Sequence, residues 1–97
     1  MRISIERSGG VAGIIRRAAV DEATLAPAEA RRFRELMGAV DFADLARAKP
    51  GKGAPDRFVY AITAEIGGKT LTLTVGEALM PEPLAACIAY AFDHAGG

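Results

Sequence analysis

Histidine and cysteine occur once each in this 97-residue chain, as His94 and Cys87, and that scarcity excludes much chemistry at once. A zinc site of ordinary spacing needs paired ligands, as in His-x-x-x-His or Cys-x-x-Cys, and none can be written here. A serine nucleophile needs a base, and no histidine lies near Ser8 in sequence, so Ser8 reads as a turn residue. His94 reads as a solvated residue at a helix end. Cys87 falls on an apolar helical stripe and reads as a buried, inert thiol; without a second cysteine, an intramolecular disulfide is excluded. Net charge is lacking too. Twelve Lys+Arg balance twelve Asp+Glu, which argues against nucleic acid or a membrane surface as partner. No run approaches the ~20 apolar residues of a membrane span. The start, Met1-Arg2-Ile3-Ser4-Ile5-Glu6-Arg7, has no uninterrupted apolar run of signal-peptide length, so a cytoplasmic protein is expected.

What is present organises into two hairpins and helices. Ile3-Ser4-Ile5-Glu6-Arg7 alternates apolar and polar residues, and Ile14 to Val20 is rich enough in Ile and Val to pair with it. Pro27 and Glu29 suit the first turn of a helix whose apolar stripe runs Phe33, Leu36, Met37, Val40, leaving Arg31, Arg32, Arg34 and Glu35 in solvent. Asp41 is placed to cap a short second helix anchored by Phe42 and Leu45. Phe58 to Ile66 and Thr70 to Val75 alternate as strands around Gly67-Gly68, a two-residue loop suited to a primed turn. Pro81-Glu82-Pro83 opens a last helix with the stripe Leu84, Cys87, Ile88, Ala91, Phe92. The order ββααββα predicts an α+β fold: a four-stranded antiparallel sheet in two hairpins, with helices on one face and the other face largely solvated. One domain, residues 1–97, is expected. Alanine inflates the 51% hydrophobic fraction, so the core is expected to rest on Ile, Leu, Val, Phe and Tyr, with Phe33, Leu36, Phe58, Ile62, Leu71, Leu73, Leu84 and Ile88 mostly buried.

Two loops stand out. A hairpin can close with two residues, yet Ser8-Gly9-Gly10-Val11-Ala12-Gly13 spends six between the first two strands, three of them glycine. Glycine in a turn supplies φ > 0 or lets another backbone come close. The stretch fits neither the dinucleotide fingerprint nor a P-loop, because the spacing is wrong and no Gly-Lys-Ser/Thr follows. It reads either as a hairpin tip or as a loop shaped to enter something. The second, Ala46 to Asp56, includes Lys49-Pro50-Gly51-Lys52-Gly53-Ala54-Pro55, and loops of that length in small domains are mobile or functional.

Glu6-Arg7-Ser8-Gly9-Gly10-Val11-Ala12-Gly13-Ile14, together with Leu25-x-Pro27-x-Glu29, Phe42-x-x-Leu45 and Asp56-Arg57-Phe58-x-Tyr60, resembles the emfourin family. These are bacterial proteinaceous inhibitors of protealysin and other thermolysin-like zinc metalloproteases. The resemblance spans nearly the whole chain. It implies a monomeric protein, not an enzyme, that blocks a protease's active-site cleft and needs no cofactor or metal of its own. The protease-binding residues it suggests are Arg7, Ser8, Gly9, Gly10, Val11, Ala12 and Gly13, with Asp56 and Arg57. Val11 is the large apolar residue at the loop's tip. Asp56 and Arg57 either form a local turn that organises entry to the third strand or touch the protease directly. The other reading of the chain is a non-catalytic protein–protein interaction module without protease inhibition, in which the glycine loop is mere connection.

Overall fold

Alternation with period two builds the sheet of this protein, whose computed structural model describes residues 1–9, 15–47, 58–77 and 80–94. Strands β1 (Arg2–Gly9), β2 (Arg16–Asp21), β3 (Phe58–Ile66) and β4 (Lys69–Gly76) pair antiparallel in the order β2-β1-β3-β4. The two hairpins therefore join through their first strands, and β2 and β4 form the edges. In register, Ala18, Ile5, Ile62 and Leu73 form one row across the sheet, and Val20, Ile3, Ala64 and Leu71 form the next. Both rows point to the same face, because residues two apart along a strand share a side.

That face carries the helices. Helix α1 (Pro27–Gly38) follows a single 3-10 turn at Glu22–Thr24, and the short α2 (Phe42–Arg47) follows α1 directly. Helix α3 (Glu82–His94) closes the chain's described part. It lies against β2 and β1, α2 lies against β4, and α1 packs on α3. Proline sits in the first turn of α1 as expected, and Asp41 caps α2, accepting from the Asp44 N–H at 3.0 Å. The opposite sheet face is open. Arg17, Ala19, Ala61, Thr72 and Thr74 are exposed there, and a shallow depression of about 560 Å3 runs over Ser4, Ala19, Ala61, Thr63 and Thr72.

The core holds Ile3, Ile5, Val20, Phe33, Met37, Phe42, Ile62, Leu73, Leu84, Cys87 and Ile88. Each fully buried large apolar side chain contributes about 1.5–3 kcal/mol relative to exposure. Five of the eight expected core residues are buried, while Leu36, Phe58 and Leu71 are half-buried. Phe58 sits at the outer end of β3, and Leu71 lies on an edge strand covered by the six-residue α2. Alanine matters more than expected. Ala18, Ala30 and Ala64 are buried alongside Ala91, which the helix stripe already placed inside, and such small side chains let strands and helices approach closely.

Several boundaries differ from the sequence reading: α1 ends at Gly38, before Val40, and Ala46 and Arg47 belong to α2 and not to the central loop. Strand β1 continues through Ser8 and Gly9, which pair with Val59 and Phe58 and so are strand residues. Strand β2 begins at Arg16, and Ile15 just before it is exposed. The Gly67-Gly68 turn is as expected: both residues have positive φ, +55° and +81°, as a type I′ turn requires.

Candidate functional site

Of the nine residues nominated from sequence, Arg7, Ser8 and Gly9 are described, while Gly10, Val11, Ala12, Gly13, Asp56 and Arg57 lie outside the described residues. The described ones share the last stretch of β1. Gly9 pairs with Phe58, the first residue of β3, so the chain leaves for residues 10–14 beside the point where it arrives from residues 48–57. Both stretches singled out in the sequence thus attach to one end of the sheet. They attach to its two central strands, the most constrained positions in a four-stranded sheet. The Gly67-Gly68 turn lies at the far end.

Gly9 has φ +122°, a backbone region that an L side chain rarely adopts. Glycine is therefore needed here to let the strand leave the sheet in this direction. Ser8 alternates with Arg7 and so falls on the open face with Ser4 and Glu6, away from the helices. No base approaches it from α3, the element that carries His94.

Arg7 points to the helix-bearing side. It is the cross-strand partner of Arg16 on one side and of Tyr60 on the other. Its guanidinium carbon lies 4.8 Å from the Phe58 ring centroid and 5.4 Å from that of Phe92, and the Arg16 guanidinium carbon also lies 5.4 Å over Phe92. Like charges directly across a strand pair repel. The aromatic rings offset this, each cation over a ring face being worth about 0.5–1 kcal/mol at exposed sites. One residue back along β1, the pairing is of opposite charge: Arg17 Nε donates to Glu6 Oε2 at 2.9 Å. Among the described residues, Arg7 and Arg16 make no salt bridge. The site end is thus locally cationic and aromatic in a chain of zero net charge.

The remaining nominated or dismissed groups are structural. Cys87 is buried, its Sγ–H donates to Leu36 O at 3.0 Å, and burial pushes the thiol up to about 11. His94 is not simply solvated, as the sequence suggested. Its ring stacks on Tyr90 at 3.9 Å between centroids, Nδ1 lies 3.0 Å from Tyr90 O, and Nε2 lies 3.2 Å from Glu29 Oε2. The Tyr90 hydroxyl donates to the same Glu29 oxygen at 2.9 Å. Burial first, and then Glu29, hold the Tyr90 hydroxyl above its ordinary pKa. This cluster ties the end of α3 to the start of α1, a contact between residues more than 60 apart in sequence that no local pattern announces. Arg32 and Arg34 pair with Glu35 and Glu22, so the α1 basic cluster is a solvated, ion-paired face. Among the described residues, no three potential metal ligands gather, and no helix is long and apolar enough to cross a membrane.

A family model described as Emfourin matches residues 5–91. The chain belongs to the emfourin family. That family is one of protease inhibitors, and the match runs from within β1 into α3, taking in β2, β3 and β4 whole and both segments attached at the site end. No curated protein and no solved structure matches the chain.

Proposed function

We propose that this emfourin inhibits a thermolysin-like zinc metalloprotease by inserting the Gly9–Gly13 stretch of its first hairpin into the active-site cleft, with Asp56 and Arg57 beside it. The observation that carries the reading is the Gly9–Phe58 pairing, which roots both nominated segments at one end of the sheet. A scaffold that presents a loop from central strands reduces the ordering cost of binding. The positive φ of Gly9 supports it as well, since the strand exit there depends on glycine. A thermolysin-like cleft takes a bulky apolar side chain just after the scissile bond, and Val11 is the residue of that kind in the loop. Its full desolvation is worth roughly 1.5 kcal/mol or more. The zinc belongs to the protease, and the inhibitor brings no cofactor.

The test is to incubate the purified chain with several thermolysin-like proteases at micromolar concentration and follow peptide hydrolysis. Inhibition that is lost when Gly10–Gly13 is replaced by Asn-Gly supports both target class and loop. Uninhibited hydrolysis across the panel would leave the chain as an interaction module for some other protein.

A further inference from the structure

The first hairpin's two stems meet on a residue that belongs to neither. On the helix-bearing face the stems offer one side chain each at the loop's base, Arg7 from β1 and Arg16 from β2, and these are direct cross-strand partners. Left alone, two guanidiniums in that position would push the stems apart. Both instead lie 5.4 Å over the ring of Phe92, near the end of α3, and Arg7 also covers Phe58 at 4.8 Å. A ring face carries negative potential, so one aromatic can hold two cations that repel each other. Phe92 is half-buried, packed against the core on one side. It is anchored beyond the stripe formed by Leu84, Cys87, Ile88 and Ala91, all of which are buried. Among the described residues, Phe92 is the α3 side chain whose ring lies under both guanidiniums, one residue past the family match.

We propose that Phe92 is a positioning residue for inhibition, fixing the two stems of the first hairpin through Arg7 and Arg16. The proposal rests on the loop-insertion reading above, but the pinning itself can be read without a protease. Phe92→Leu keeps an apolar side chain and removes the ring face. Phe92→Trp keeps a ring face. Arg16→Met removes one cation at an exposed position and guards against a Phe92 variant that fails to fold. Amide hydrogen exchange is measured at Ser8, Gly9 and Arg16, with Ile62 as the internal reference, alongside the inhibition constant of the full chain.

Phe92→Leu and Arg16→Met should each speed stem exchange at least fivefold relative to Ile62. Each should weaken inhibition at least fivefold with an unchanged melting temperature, and the two combined should do no more than either alone. Phe92→Trp should restore both readouts. Stem exchange equal to the parent's in Phe92→Leu and Arg16→Met overturns the proposal, as does looser stem exchange with undiminished inhibition. Weaker inhibition with unchanged exchange would make Phe92 a protease contact and likewise overturn it. A parent chain that inhibits nothing overturns the loop-insertion reading, and faster stem exchange in the variants would then stand as pinning without that function.

Discussion

Gly9 and Phe58 face each other as the outermost pair of β1 and β3. Antiparallel partners lie about 4.5–5.5 Å apart at their Cα atoms, so the two segments emerging here begin within one side chain's reach of each other. The sheet has two ends, and its two hairpins use them differently. One end is closed by Gly67-Gly68 with nothing to spare. The other sends out the glycine-rich stretch and receives the long basic one.

This difference separates stability from inhibition. A Cβ at Gly67 or Gly68 would meet no neighbouring atom within 4 Å, so the cost of substitution is the backbone strain of positive φ alone. Gly67→Ala and Gly68→Ala should each destabilise the fold by about 1–2 kcal/mol and leave the inhibition constant unchanged. Gly9→Val should cost about 1–3 kcal/mol through strain at φ +122°, and it should weaken inhibition as well. Urea melts paired with inhibition titrations check both. A turn variant that loses inhibition while staying folded would contradict the assignment of function to the Gly9 end.

Leu73 and Ile88 test the core from its two layers. Leu73 shares the row of Ile5 and Ile62 in the sheet, and Ile88 sits on the buried stripe of α3; both are 5% exposed. Leu73→Ala and Ile88→Ala should each lower unfolding free energy by about 2–5 kcal/mol. Losses under about half a kcal/mol at both sites, the scale of ordinary surface changes, would mean that the packing is other than described.

The second hairpin was legible because three signals coincide there: alternation over nine residues, Thr alternating with Leu in the next strand, and a Gly-Gly pair between them. Helix stripes were legible for the same reason, since period 3.6 and period 2 are written in local spacing. Alanine carries little local signal, because its side chain is small enough for surface and core alike. Ala18 and Ala64 are buried only because register places them in rows with Ile5 and Ile3. The Arg7–Arg16–Phe92 group and the Glu29–Tyr90–His94 cluster were invisible for a different reason. Each joins residues from separate elements, and neither register nor helix docking is encoded in any one window. Ser8 and Gly9 read as loop because Ser and Gly favour turns, whereas pairing with β3 keeps them in the strand.

Cys87 supplies a pH prediction. Burial raises its thiol from 9.0 to about 11. A raised pKa on an acid means the folded chain keeps its proton while the unfolded chain has begun to lose it. Stability is therefore fully present below about pH 9 and declines as pH rises from there towards 11. Cys87→Ala should remove that part of the alkaline decline, although it also leaves a small cavity. With a thiol reagent at pH 8, native protein should react slowly and urea-unfolded protein rapidly. Fast labelling of the native chain would place Cys87 at the surface and contradict its contact with Leu36.

Val11 and Gly10 carry the sharpest prediction about function, because they should matter to the protease and not to folding. Among the described residues, the fully buried rows end at Ile5 and Ala18, with Tyr60 and Val75 partly buried in the next row beside Arg7. A valine side chain gains from burial in a cleft, and an aspartate there would have to shed its hydration without a partner. A Cβ at Gly10 would obstruct close approach of the backbone or forbid its conformation. Val11→Asp and Gly10→Val should therefore each raise the inhibition constant at least tenfold, about 1.4 kcal/mol, while the melting temperature stays within error of the parent. Differential scanning calorimetry beside progress-curve inhibition assays separates the two effects. If both variants inhibit like the parent, the cleft is blocked by another surface, and the Asp56–Arg57 segment rooted beside Gly9 becomes the next one to mutate.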